Sequence, residues 1–160
     1  SISSKEKELL IWYQNCHLKR ISELSGKKWS LDFLLLLLQQ GTGKLALVKS
    51  KNNEILGGCF ILLSTETLEL FMMSTPLFNL NIGVNYFLTN ELYIYAWKQN
   101  IRYVNWQSSN PPLGGLTKFK KSFNAKEMSF PIYNKIWDKS INIKNIYKES
   151  FVFPMKENIS

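Results

Sequence analysis

The most constraining stretch of this sequence covers residues 83–124, where an apolar periodic segment, a short β-favouring run, a polar cluster and a lysine-rich segment follow one another. In the first part, apolar side chains recur at spacings of three and four, which predicts one face of a long core helix. The residues on that face are Val84, Phe87, Leu88, Leu92, Tyr95 and Ala96. Tyr103, Val104 and Trp106 then predict a short strand, because β-branched and aromatic side chains suit a pleated sheet.

A polar segment and then a basic helix follow the predicted strand. Residues 107–110 read Gln, Ser, Ser and Asn, and two prolines follow them. After Gly114 and Gly115, a helix is predicted that carries its apolar and its basic side chains on different faces. The apolar side holds Leu116, Phe119 and Phe123, and the crowded lysines are Lys118, Lys120 and Lys121.

This segment resembles the closing half of the Fem-type (FemAB-like) branch of the GNAT-like N-acyltransferases. In that branch a long helix leads to a strand and then to a Gly-Leu pair, a Phe-Lys pair and a terminal Phe-Gly; here residues 115–124 read GLTKFKKSFN. Asn124 replaces the terminal glycine, and asparagine also tolerates the left-handed conformation that ends helices. The family's strand usually ends in an aspartate or glycine pair, but this chain has Asn105-Trp106-Gln107. The resemblance extends more weakly to about residue 5 and fades after about residue 134.

The rest of the chain predicts an α+β domain with the GNAT-like acyl-CoA N-acyltransferase fold. Two helices, over residues 5–21 and 31–40, precede a β-hairpin and a third strand, and Gly57-Gly58 predicts a bulge or a close backbone approach. The expected strands are 44–50, 55–65, 68–74, 103–107 and 128–133. They form a mixed central sheet with helices on both faces, in which the family's first strand is missing or supplied elsewhere.

Length favours one domain over residues 1–160, with an uncertain C-terminal segment at 135–160, and the chain can be one domain of a longer protein. The net charge is +8, and the last 50 residues carry +5 of it. A basic surface favours anionic partners such as a phosphate-bearing substrate, RNA or an acidic carrier protein. Ordinary solubility explains the same charge equally well.

Several function classes are disfavoured by what the sequence contains. The leucine run at 34–38 is too short for a membrane span and predicts a helix covered on most sides, and the N-terminus does not resemble a signal peptide, so we expect no membrane span and a cytoplasmic protein. Cys16 and Cys59 lack the spacing of a metal site or a disulfide framework. His17 is the one histidine, so we expect no metal site, and no Ser-His dyad is evident.

The resemblance implies where the site lies. GNAT-like domains splay two neighbouring central strands around the acyl donor, and here these strands would be 68–74 and 103–107. The implied catalytic residues are Lys120, which would steady the developing negative charge, and Gln107, at the mouth of the second strand. The expected substrate-binding residues are Phe119, Lys118, Lys121, Trp106, Ser108, Asn110, Met73 and Ser74. For Phe119 and Met73, core packing is the competing interpretation.

The resemblance leaves the acyl donor open. Acetyl-CoA users in the superfamily hold the pyrophosphate in a glycine-rich loop before the long helix, but residues 76–83 here contain one glycine. The implied reaction moves an acyl or aminoacyl group from acyl-CoA, a carrier protein or aminoacyl-tRNA to an amine of a cell-wall or polysaccharide precursor. No permanently bound cofactor is expected, and a second GNAT-like domain or a homo-oligomer is compatible with the family. The alternatives are a non-catalytic accessory domain and, more remotely, a nucleic-acid-binding module.

Overall fold

The computed structural model of the chain describes residues 3–24, 28–107 and 114–128. All of its helices and strands belong to one compact unit, Ser1–Phe123, and Asn124–Ser160 form a second unit. The helices are α1 (Ser4–Trp12), α2 (Leu18–Glu23), α3 (Leu31–Gln39), α4 (Leu77–Leu80), α5 (Val84–Lys98) and α6 (Gly114–Ser122), with a π-helical turn at Tyr13–His17 between α1 and α2. The strands are β1 (Gly43–Lys49), β2 (Ile55–Leu63), β3 (Thr67–Ser74) and β4 (Tyr103–Asn105).

The four described strands form one sheet in the order β1-β2-β3-β4. The first three are antiparallel neighbours joined by short turns, and β4 runs parallel to β3 because α5 carries the chain back across the sheet. The predicted mixed α+β architecture is therefore confirmed. Of the predicted strand at 128–133, residues 129–133 lie outside the described residues, and Met128 is not in a strand.

Two apolar clusters, one on each face of the sheet, hold the helices in place. The cluster under α1 and α3 contains Leu9, Trp12, Tyr13, Cys16, Leu34, Phe60 and Met72. The cluster under α5 contains Cys59, Ile61, Leu68, Leu70, Leu88, Leu92 and Ala96. Each fully buried leucine contributes about 1.5–3 kcal/mol to folding, so these two layers fix the position of the sheet edge at which the site lies.

Local features explain several boundaries. A capping box begins α1, where the Ser3 hydroxyl accepts from the Glu6 N–H and the Glu6 carboxylate accepts from the Ser3 N–H. The expected close approach at Gly58 is confirmed, since a Cβ there would lie 2.7 Å from the Ala46 carbonyl oxygen. One expectation is wrong: α3 is not covered on most sides, because only Leu34 is fully buried while Phe33 and Leu36 are exposed.

Candidate active site

The two strands that were expected to splay pair over only part of their length. Pairing between β3 and β4 covers only three residue pairs, the last of which joins Glu69 to Asn105. β4 then ends, while β3 continues to Ser74. Residues 72–74 pair with β2 on one edge, and residues 70–74 have a second edge without a β4 partner, which we call the open edge.

A β-bulge lies at the level where the strands part. Between Phe60 and Leu62 of β2 there is one intervening residue, whereas their partners Met72 and Glu69 on β3 are separated by two. The extra residue of β3 interrupts the regular ladder and re-aims backbone groups, as bulges beside active sites commonly do. The open edge consequently presents irregular backbone where a ligand can approach.

Glu69 and Gln107 meet at the parting point. Gln107 adopts a left-handed backbone conformation, with φ of 60°, and its N–H donates to the Asn105 side chain at 2.9 Å. Its side-chain amide donates to the Glu69 carboxylate at 2.5 Å. The structure therefore places a carboxylate beside the predicted residue Gln107. Glu69 was not among the predicted site residues, although a lone glutamate within the apolar strand sequence TLELFMMS was a usable signal.

Lys120 turns its side chain from α6 toward the end of β4. Its Nζ donates to the carbonyl oxygens of Trp106 at 2.8 Å and Gln107 at 3.0 Å. Burial lowers the pKa of Lys120, because a low-dielectric environment disfavours the charged ammonium. A partly dehydrated cation thus lies at the end of β4, and both the placement of Lys120 in a substrate cleft and its catalytic role stay predictions.

Trp106 and Phe119 belong to an aromatic cluster that holds α6 against α5. The Trp106 and Phe119 ring centroids are 5.7 Å apart at 85°, and the Trp106 Nε1–H donates to the Tyr93 hydroxyl at 2.9 Å. Tyr86 and Phe123 complete the cluster. Because both predicted residues are half-buried in this packing, it favours the core interpretation for Phe119 and leaves their substrate contacts as predictions.

Met73 and Ser74 lie at the carboxyl end of β3 and face opposite sides of the sheet. Met73 packs against the cluster under α5. Ser74 is buried, and its hydroxyl lies 2.9 Å from Nδ1 of His17, whose imidazole stacks against Trp12. This Ser-His pair was not anticipated, because the two residues are 57 positions apart and only the fold brings them together.

The remaining predicted residues divide into exposed and undescribed ones. Lys118 and Lys121 are exposed on α6, where they can meet an anionic ligand. Ser108 and Asn110 lie outside the described residues. Within residues 3–24, 28–107 and 114–128, no group of three or more His, Cys, Asp or Glu side chains is placed to hold a metal ion. None of the helices in these same ranges is long and apolar enough to cross a membrane.

Comparison with known proteins shows the fold. No family model matches the sequence, and no curated protein matches it. Among solved structures, an aminoglycoside acetyltransferase from an uncultured soil metagenomic sample is 16% identical with a TM-score of 0.64, over 82% of this chain and 91% of its own.

Two further solved structures give the same result. An aminoglycoside 6'-N-acetyltransferase from Acinetobacter baumannii is 13% identical with a TM-score of 0.61, over 84% of this chain and 94% of its own. An acetyltransferase of the GNAT family from Staphylococcus aureus Mu50 is 16% identical with a TM-score of 0.60, over 84% and 91%. The chain therefore has the GNAT acetyltransferase fold, as its sequence predicted.

Proposed function

We propose that this chain is an N-acyltransferase, which moves an acyl group from an activated donor to an amine. The observation that carries the proposal is the parting of β3 and β4, with Glu69, Gln107 and Lys120 gathered at the point of divergence. The shared fold supports the same reaction class, but fold alone does not define activity, so the argument rests on the site.

In this proposal, the open edge and Lys120 stabilise the oxyanion. When an amine attacks the acyl carbonyl, negative charge develops on the carbonyl oxygen, and fixed donors must already face it. Backbone N–H groups along residues 70–74 can supply such donors. The ammonium of Lys120 adds a positive field that is stronger because its surroundings are partly dehydrated.

In this proposal, Glu69 accepts the proton that the attacking amine loses. The attacking amine must lose a proton as its nitrogen forms a bond to the carbonyl carbon, and the carboxylate of Glu69 is a suitable acceptor. Gln107 fixes the orientation of that carboxylate through its side-chain amide. The carbon–sulfur or carbon–oxygen bond to the donor then breaks, and the leaving thiol or hydroxyl takes up a proton.

The proposed branch of the family and the proposed acceptor rest on the sequence around α6. The GLTKFKKSFN signature supports the Fem-type branch and an acceptor amine on a cell-wall or polysaccharide precursor. Lys118 and Lys121 would bind the phosphate groups of a carrier or of a nucleotide-linked acceptor, since surface ammonium groups attract phosphate as point charges. At this level the donor is acyl-CoA, a carrier protein or aminoacyl-tRNA, and a second GNAT-like domain belongs to the same proposal.

The direct test is release of the leaving thiol from acetyl-CoA and from S-acetyl-N-acetylcysteamine, a thioester without a nucleotide, in the presence of a panel of amines. We expect Glu69→Gln to lower kcat by about 10²- to 10⁴-fold, the usual contribution of a positioned general base. Glu66→Gln, three residues away in the turn before β3, is the matched control and should retain the wild-type rate. Equal rates for the wild type and Glu69→Gln would refute the role of Glu69, and absence of thiol release with every pair would contradict the proposed activity.

A specific observation favours one alternative, a non-catalytic accessory domain. Lys120 donates to two backbone carbonyls, so its ammonium already serves as a tie between α6 and the end of β4. A domain that uses Lys120 only for this purpose would bind an acyl donor and an amine without turnover. Binding by calorimetry together with no thiol release would identify this alternative.

A further inference from the structure

The surface beside the open edge is unusually apolar. Five large side chains, on α4, the turn after it and the first turn of α5, each expose between 54% and 72% of their surface. This apolar patch consists of Leu77, Phe78, Ile82, Tyr86 and Phe87. No charged residue occurs anywhere in residues 70–90. Five large exposed apolar side chains within residues 77–87 indicate an interaction surface.

The same segment is poorly suited to hold the phosphates of a nucleotide. The N–H groups of Asn79 and Gly83 donate to the carbonyls of Pro76 and Leu80, at 2.9 and 3.1 Å. The N–H of Leu77 donates to the Glu23 carboxylate at 3.3 Å, and Glu23 also pairs with Arg20 at 2.9 Å, so the start of α4 already has an anionic partner. A phosphate-binding loop needs small residues that let a phosphate approach its N–H groups, and Leu77, Phe78 and Ile82 are large. The first turn of α5 has no side-chain cap, and the large residues Ile82 and Tyr86 flank its start in the sequence.

One border of the apolar patch is basic. The Tyr86 ring contacts Phe119 of α6 edge to face, with centroids 4.9 Å apart. Lys118 and Lys121 are exposed on that same helix. The patch therefore passes directly into a cationic surface on the α6 side, whereas Glu23 lies on the α4 side.

The position of the patch connects it to the proposed reaction. α4 begins three residues after Ser74, the last residue of β3. Thr75 between them is buried, and its hydroxyl donates to the Asn85 side chain at 2.6 Å, which ties the connection to α5. A partner seated on the patch would consequently hold a flexible thioester arm close to the open edge.

We propose that the acyl donor of this chain is carried by a protein: an acidic carrier domain, with its acyl group on a phosphopantetheine arm, docks on the apolar patch and on Lys118 and Lys121. This inference rests on the proposed function and specifies its donor. An apolar centre with a charged border is the usual composition of a protein interface. The amine of the acceptor forms the new C–N bond, the thioester C–S bond breaks, and the carrier thiol leaves with a proton.

A protein fits this surface better than an anionic membrane does. The charges are asymmetric, because the lysines of α6 lie at one border, whereas Glu23 at the other border is paired with Arg20. A uniformly anionic membrane would gain from the first border alone, whereas an acidic helix can match that border. Exposed Asn81 would also lose its hydrogen bonds in lipid, but it can pair with polar groups of a protein.

The test compares three probes by calorimetry: an acetylated bacterial acyl carrier protein, acetyl-CoA and vesicles of anionic phospholipid. We expect the carrier protein to bind the wild type, and Phe78→Ser with Ile82→Ser to weaken its binding by about tenfold or more, as loss of buried apolar anchors does. Lys118→Glu should also weaken binding, more strongly at low salt. The matched control is Trp97→Ser, which removes an aromatic ring that is 77% exposed on α5 outside the patch.

The outcomes separate this proposal from the proposed function. Weaker carrier binding in the patch variant, with unchanged transfer from S-acetyl-N-acetylcysteamine, would support the docking surface. Carrier binding that the patch variant leaves unchanged would overturn it, as would binding of vesicles or of acetyl-CoA without binding of the carrier. Absence of transfer from the small thioester would instead contradict the proposed function, while the binding result would still decide the docking surface.

Discussion

Protonation of His17 should make the folded state less stable in mildly acidic solution. The imidazole is 2% exposed and stacks between Trp12 and Tyr13. Its Nδ1 lies against the Ser74 hydroxyl, and its Nε2 has no hydrogen-bond partner among the residues that the structure describes. Burial lowers the pKa of His17 from 6.5 to about 4, because the imidazolium would lose its hydration without gaining a counter-charge.

The sign and size of the effect follow from linkage. Between pH 6.5 and pH 4 the unfolded chain binds a proton at this site and the folded chain does not, so stability falls as the pH falls through that window. Above about pH 7 both states are neutral there and the contribution is flat. From pH 7 to pH 5 the expected loss in the free energy of unfolding is about 2 kcal/mol, which corresponds to roughly 1 M in the urea midpoint of a domain this size.

His17→Asn is the variant that isolates this effect. Its side-chain amide can still donate to Ser74, but it does not titrate. We expect urea midpoints measured between pH 7.5 and 5 to fall more steeply for the wild type than for the variant, whatever the variant's lower stability at pH 7.5. Nuclear magnetic resonance gives a second readout, because the sequence has one histidine and its ring signals are unambiguous. Parallel midpoint curves, or a ring that titrates near pH 6.5, would refute the reasoning.

Three further perturbations test other parts of the structure. Lys120→Met removes two charge-assisted hydrogen bonds to backbone carbonyls, so we expect a loss of about 2 kcal/mol in the free energy of unfolding by urea titration, against less than about 0.5 for exposed Lys118→Met; equal effects would contradict the contact. Gly58→Ala should cost about 1–3 kcal/mol because the new Cβ meets the Ala46 carbonyl, whereas Gly114→Ala meets nothing within 4 Å and should not destabilise. Burial raises the pKa of the Cys16 and Cys59 thiols to about 11 and about 12, so both should resist iodoacetamide at pH 8 until urea unfolds the chain, as mass spectrometry would show.

Periodic segments made the fold predictable. The apolar spacing of α5 predicted its buried face, because burial on one face is a local property of spacing, and Leu88, Leu92 and Ala96 are buried there. The placement of Phe87 on that face was wrong, since its side chain is 57% exposed. The mixed sheet followed from the order of these elements. α3 was a further exception: its consecutive leucines indicated a helix covered on most sides, but Phe33 and Leu36 are exposed. Composition alone does not show how many layers surround a helix.

The candidate site was predictable only where sequence neighbours supply it. Lys120 and Gln107 belong to one continuous segment, and the structure brings them together through the Gln107 carbonyl. Glu69 lies on another strand, where parallel pairing sets it opposite Asn105. Gln107 has a left-handed backbone, and its side-chain amide donates to the Glu69 carboxylate. Such register and backbone reversal are tertiary properties, which a single sequence does not encode in any short pattern.

The distribution of charge along the chain connects the proposed site to the proposed donor. Glu69 and Glu91 are the charged residues that bracket residues 70–90, and the neutral stretch between them includes the open edge, α4 and the apolar patch. A thioester arm that entered along residues 70–90 would meet no charged side chain of that stretch before it reached Glu69. In the proposed mechanism the ammonium of Lys120 and the carboxylate of Glu69 would act on a carbonyl in partly dry surroundings, where electrostatic interactions are strongest. A nucleotide would have to bring its phosphates past the same apolar surface, so the feature that favours chemistry at the open edge also disfavours a free nucleotide donor.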